Sequence, residues 1–168
     1  PSLDGDHPRM VIPFRDSNGD IFAYQGRAFG KEKPKYITII LDESVPKIFG
    51  LDRVDPSRDI FVVEGPIDSL FIQNCIAVAQ SDLRVPQYKD KAILVPDNEP
   101  RNKQIIQQLE RAIDDNYRVV IWPDYVRQKD INDMILSGLD AVEIMDIISN
   151  NTFQGLSAKV ELQKWKRT

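Results

Sequence analysis

Apolar and polar positions follow one rhythm up to about residue 41 and another beyond residue 60. In the first stretch the apolar runs are short and divided by turn residues. Met10 to Phe14 is apolar except for Pro13, which lacks a ladder donor and so predicts an edge strand. Ser17-Asn18-Gly19 predicts a turn, and Ile21 to Tyr24 a second strand. Tyr36 to Leu41, β-branched and apolar, predicts a third. Residues 42–59 carry several aspartates, two prolines and one glycine, which predicts a linker.

From Ile60 apolar runs alternate with helical patterns. IFVV (60–63) is fully apolar, as a strand buried on both faces must be. Pro66 suits the first turn of a helix, which Ile67 to Ile72 is expected to continue. IAVA (76–79) and AILV (92–95) predict the next strands. Pro100 is expected to open a longer helix, since Ile105, Ile106, Leu109, Ala112 and Ile113 fall on one helical face. RVVIW (118–122) predicts a fourth strand of this set. Two short helices should follow. Asp130 caps the first, at Ile131 to Leu136, and Asp140 caps the second, with Glu143 at the capping-box position. The order predicts an α/β fold: a strand-rich N-terminal subdomain (1–59), a mostly parallel sheet flanked by helices (60–150) and a C-terminal tail (151–168). In the tail, Trp165 belongs to an amphipathic or solvated terminus, whereas Trp122 ends an apolar strand and should be core.

Composition narrows the class without changing the picture. The chain has 168 residues, 42% apolar and 29% charged, which is ordinary for a globular protein. Its single cysteine, Cys75, excludes an internal disulfide and a cysteine zinc site. It is read as a buried thiol, and a reducing, cytoplasmic setting is expected. His7 stands alone in a polar terminus. No apolar run approaches the roughly 20 residues that cross a bilayer, so no membrane partner is expected. The net charge of −4 does not advertise a nucleic-acid binder. Placement says more: Arg27, Lys31, Lys33 and Lys35 form one basic cluster, and Lys164, Lys166 and Arg167 another.

The acids collect where a parallel sheet places its ligands, beyond the carboxyl ends of the strands. Glu64-Gly65 follows IFVV, Asp97-Asn98-Glu99 follows AILV and Pro96, and Asp124, Asp130 and Asp133 follow RVVIW. Asp68 lies one helical turn after Glu64 and could face the same crevice. Gly65 leaves room for a close approach of backbone or phosphate. Asp97 and Glu99 would point the same way if the chain stayed extended. Carboxylates sharing a crevice repel unless a cation lies between them, and hard divalent ions with oxygen ligands fit that need. Caps such as Asp130 and Asp140 occur in any fold. Glu64, Asp97 and Glu99, each placed after an apolar strand, are not explained by capping.

These residues resemble the Toprim domain of bacterial-type primases, topoisomerases and some nucleases. VVEGPIDSLF is similar to the family's first motif, with Glu64, Gly65 and Asp68. Asp97-Asn98-Glu99 is similar to its second, usually Asp-x-Asp, so Glu99 departs from the pattern with a longer reach. VIPFRDSNGDIFAYQGRAFG resembles the segment that precedes the domain in bacterial primases, with Gly26-Arg27 in the Gly-Arg position. PKY (34–36) resembles the segment whose lysine faces the active site, here Lys35. PKIFGLDRV (46–54) places Lys47 in a basic position, and KDINDMI (129–135) resembles a later acidic motif with Asp130 and Asp133. The wording of EGPIDSLF and DNEPRNK looks closest to primases of large tailed bacteriophages.

The resemblance implies synthesis of RNA primers on single-stranded DNA from ribonucleoside triphosphates. It implies Mg²⁺, with Mn²⁺ as a possible substitute, on Glu64, Asp97 and Glu99, with Asp68 and Asp130 in the catalytic set. It implies phosphate contacts by Arg27, Lys35 and Lys47. A replicative helicase is an implied partner, as is an upstream zinc-binding domain that this chain lacks. The rival readings are a metal-dependent nuclease and a non-catalytic DNA-binding or recombination module on the same fold. A topoisomerase needs strand-passage machinery too large for this length.

Overall fold

In the computed structural model residues 8–79 and 82–167 are described, which leaves His7 outside the described residues. The chain divides into two compact units at Arg53/Val54.

The N-terminal unit holds a three-stranded antiparallel sheet, β1 (Arg9–Arg15), β2 (Ile21–Ala28) and β3 (Tyr36–Ile40), in that spatial order. Pro13 therefore lies on an edge strand, where its missing N–H costs nothing. Gly19 closes the first turn at φ 90°, a conformation that glycine adopts without strain. Phe14 is fully buried and meets Phe22 and Phe49 edge-on, at ring-centre distances of 6.1 and 5.4 Å. Part of the segment expected to be linker thus folds back through Phe49 and the buried Ile48 to complete this small core.

The second unit is built on a five-stranded sheet: β4 (Ile60–Val63), β5 (Cys75–Ala77), β6 (Ala92–Leu94), β7 (Arg118–Val120) and β8 (Thr152–Phe153), ordered β5-β4-β6-β7-β8. The first four in that order pair in parallel, and β8 closes one edge antiparallel to β7. Parallel strands need both faces covered, and residues such as Ile60, Val62, Ile76, Leu94 and Val119 are indeed buried. Cys75 is buried with them, and Trp122 is core, donating its indole N–H to Pro96 O at 2.7 Å.

Among the described residues four α-helices complete the unit: α1 (Lys103–Asp114), α2 (Ile131–Leu136), α3 (Ala141–Asn150) and α4 (Gly155–Trp165). α1 packs on β7 and α4, and its buried residues are Ile105, Leu109, Ala112 and Ile113. It starts later than Pro100 because Asn102 caps it, accepting from Gln104 N. Asp130 and Asp140 cap α2 and α3, the latter with the full capping box to Glu143. The helix expected at 67–72 shrinks to a single 3₁₀ turn, Asp68–Leu70. There the Ser69 hydroxyl bonds back to Pro66 O, offering the backbone a local alternative to further helix. The C-terminal segment is not a solvated tail: α4 buries Ala158, Leu162 and Trp165. Among the described residues no helix is long and apolar enough to cross a membrane.

Candidate active site

Glu64 is the first residue after β4, and its backbone carbonyl still accepts from Ala79 N as the ladder to β5 ends. The side chain is largely buried. Burial, followed by repulsion from Asp97, pushes its carboxyl up to about 7 from an ordinary 4.5, against a hydrogen bond from the Asp97 backbone N–H. Asp97 is raised as well, again chiefly by burial, while the Lys129 ammonium draws it back. Two neighbouring carboxylates that both resist ionisation are the electrostatic mark of a site built for a cation.

The turn bearing Asp97 and Glu99 is not extended. β6 ends at Leu94, and Glu99 N bonds to Asp97 O at 2.9 Å. The two carboxylates nevertheless converge, because Lys129 Nζ lies 3.4 Å from Asp97 Oδ2 and 3.5 Å from Glu99 Oε1. Asn102 Nδ2 also donates to Glu99 Oε2 at 3.2 Å. Burial opposes the charge of Lys129, but Asp97 and Glu99 outweigh it and hold the ammonium above its ordinary value.

Asn98, between the two acids, anchors the turn. Its N–H donates to Lys129 O at 2.6 Å, and its side-chain amide donates to Val126 O and Gln128 O at 3.0 and 3.1 Å. Its Oδ1 accepts the Trp165 indole N–H at 3.1 Å, so the end of α4 reaches the acidic turn.

Asp68 and Asp130 meet at the start of α2. Asp68 Oδ1 accepts from Asn132 N at 2.9 Å, and Asp130 Oδ1 accepts from Asp133 N at 2.7 Å. The two carboxylates thus satisfy two of the four orphan N–H groups of that helix end. Asp133 itself sits in the first turn and supplies the second of these donors. Asp68 is pushed up to about 6, first by burial and then by Asp130 and Asp97, in spite of the bond from Asn132. The space over Gly65, expected to be open, is filled by Asp68: a β-carbon on Gly65 would lie 2.6 Å from Asp68 Oδ2.

In the N-terminal unit, Arg27 on β2 and Lys35 just before β3 flank one ring. The Arg27 guanidinium lies 5.8 Å and the Lys35 ammonium 5.6 Å from the centre of Tyr36, within cation–π range. Gly26 keeps this region flat, for Arg9 crosses it, with its Cδ 3.3 Å from a β-carbon built there, and bonds to Pro34 O at 3.0 Å. Lys47 lies after β3 in the segment that folds back through Ile48 and Phe49. Sequence reasoning passed over Lys129 and Asn98. Their only sequence signal is adjacency, Lys129 to Asp130 and Asn98 to two acids, whereas their partners lie about thirty residues away.

The fold is one that solved primase catalytic domains share. The fold matches a DNA primase domain from Pseudomonas aeruginosa with a TM-score of 0.68, at 21% identity, over 93% of this chain and 55% of that one. It also matches the RNA polymerase domain of Mycobacterium tuberculosis primase in complex with double-stranded DNA, with a TM-score of 0.66 at 18% identity, over 86% and 54% of the two chains. The chain belongs to the bacterial-type DNA primase family. In sequence it is 44% identical over 165 residues to the DNA primase of Enterobacteria phage T4, covering 95% of this chain and 48% of that protein. It thus spans about half the length of that relative. No protein-family model matches the chain.

Proposed function

We propose that the chain is the catalytic part of a primase of the Toprim type, which extends an RNA primer on a single-stranded DNA template. The primer 3′-oxygen bonds to the α-phosphorus of a ribonucleoside triphosphate, the bond from that phosphorus to the β-phosphate bridge breaks, and pyrophosphate leaves. The hydroxyl proton passes to solvent or to a nearby carboxylate. The observation that carries this reading is the pairing of half-buried, ionisation-resistant Glu64 with Asp97 at adjacent strand ends.

The donor set suits Mg²⁺. All the groups are hard oxygens, and burial without full neutralisation leaves them short of positive charge. Among the described residues no group of three or more histidine, cysteine, aspartate or glutamate side chains is arranged to hold an ion alone. Mg²⁺ does not need such a cage, since it commonly takes one or two carboxylates and completes its shell with water and substrate phosphates. Glu64 and Asp97 would hold it, with Glu99 alongside, and when bound it neutralises phosphate charge and eases loss of the hydroxyl proton. Asp68 and Asp130 fix the start of α2 beside these acids. Arg27, Lys35 and Lys47 contact template or nucleotide phosphates. The complex of the mycobacterial primase domain with DNA supports a DNA template. A replicative helicase and an upstream zinc-binding domain are the further partners that the family resemblance brings.

The test is template-directed incorporation of labelled ribonucleotides on single-stranded DNA in Mg²⁺. RNA products should form and should fall on the order of a hundredfold in Glu64→Gln. DNA cleavage without incorporation would replace this reading by a nuclease, and DNA binding with neither reaction by a non-catalytic module.

A further inference from the structure

Lys129 is a charged residue that the reaction above leaves without a role. Its backbone is immobilised against the acidic turn by the Asn98 N–H on its carbonyl, and the neighbouring carbonyls of Val126 and Gln128 take the Asn98 side chain. Its side chain is only half covered, at 51% exposed, against 19% for Asp97 and 33% for Glu99. The ammonium stands almost equidistant from one oxygen of each acid, at 3.4 and 3.5 Å. Charge-assisted N–H···O bonds to a single partner close to about 2.7–2.9 Å. The geometry is therefore that of a cation shared between two carboxylates and committed to neither.

A divalent ion held by Asp97, with Glu99 alongside, would draw on the same two carboxylates as this ammonium. A lysine ammonium and a divalent cation repel strongly at such separations, and a four-carbon stem with several rotatable bonds lets the ammonium leave. Resting on the proposed metal-binding reading of these acids, we infer that Lys129 is a resident counter-ion of the site. It neutralises Asp97 and Glu99 while no divalent ion is present, competes with that ion for them, and swings out when the ion binds. The site can then fold and stay folded before it is loaded, at the cost of weaker metal affinity.

Mn²⁺ titration by calorimetry tests this on the wild-type chain, Lys129→Gln, Lys129→Arg and Asp97→Asn. Lys129→Gln should bind Mn²⁺ about three- to tenfold more tightly, the size of effect expected for two half-exposed ion pairs. Lys129→Arg, which keeps the charge, should stay near wild type. In EDTA, Lys129→Gln should melt below wild type, and saturating Mn²⁺ should restore it. A measurement on the unmutated chain gives an independent reading: amine acetylation at Lys129, followed by peptide mass spectrometry, should speed up when Mn²⁺ is added. Equal or weaker Mn²⁺ affinity in Lys129→Gln, or labelling unchanged by Mn²⁺, overturns the inference. Should wild type bind no Mn²⁺, or Asp97→Asn bind it equally well, the metal site itself is wrong and the inference falls with it. If those two behave as expected and Lys129→Gln alone does not, only the role of Lys129 is lost.

Discussion

Glu64→Gln should make the metal-free protein more stable at neutral pH, although it removes the central acid of the site. The Glu64 carboxyl lies at about 7 in the folded chain and at an ordinary 4.5 when exposed. The folded state therefore holds a proton through a pH range in which the unfolded state has lost it. Below about 4.5 both states are protonated and Glu64 leaves stability unchanged. Between 4.5 and 7 stability falls as pH rises, and above 7 the penalty is complete. At about 1.4 kcal/mol per pH unit of difference, that penalty is roughly 3 kcal/mol. Glutamine has nearly the same shape, cannot ionise, and can still accept the Asp97 backbone N–H through its carbonyl oxygen. Urea melts in EDTA at pH 5 and pH 8 measure the effect. Wild type should lose stability across that interval, and the gap between variant and wild type should widen by roughly 2–3 kcal/mol. Asp68 and Asp97, also raised, act in both proteins and largely cancel in the comparison. Parallel melts, with the same gap at both pH values, would falsify the electrostatic account of this site.

Two further outcomes follow from the geometry. Arg27→Ala, Lys35→Ala and Lys47→Ala should each weaken binding to single-stranded DNA, and each should reduce the slope of log affinity against log salt by about 0.7, one phosphate contact's worth; an unchanged slope removes that residue from the DNA contact. Trp165→Phe keeps a ring but drops the N–H that reaches Asn98, and should cost about 1–2 kcal/mol in a urea melt. Trp165→Ala should cost about 3–5 kcal/mol, and a negligible loss in Trp165→Ala would mean that α4 is not part of the core.

The strands of the second unit are legible because burial on both faces demands unbroken apolar runs, and IFVV is β4 residue for residue. The caps of α2 and α3 are legible because Asp130, Asp140 and Glu143 act within three residues of themselves. β8 and α4 are not, for opposite reasons. Two residues carry no period, and α4 buries an alanine, a leucine and a tryptophan at one-turn intervals among two lysines, a glutamate and a glutamine, too thin a stripe to tell from a polar terminus. The 3₁₀ turn at Asp68 is not legible in the apolar pattern of 67–72, which reads as a longer helix; in the fold the Ser69 hydroxyl bonds to Pro66 O there. At the site, Glu64, Asp97 and Glu99 could be picked out by their place after strands. The cation between two of them could not, since only folding brings residue 129 to residues 97 and 99.

The bare α-carbon of Gly65 has a consequence for how this chain can change. Any side chain there would strike the Asp68 carboxylate, and that carboxylate is the acceptor for Asn132 N at the head of α2. A larger residue at 65 therefore requires the Asp68 carboxylate to shift or residue 68 to shorten, and either change disturbs the acceptor at the helix head. Positions 65, 68 and the 130–132 segment form a single unit of variation scattered along the chain. Divergent sequences of this fold should tend to alter them together, and a library randomising 65 alone should be enriched in glycine.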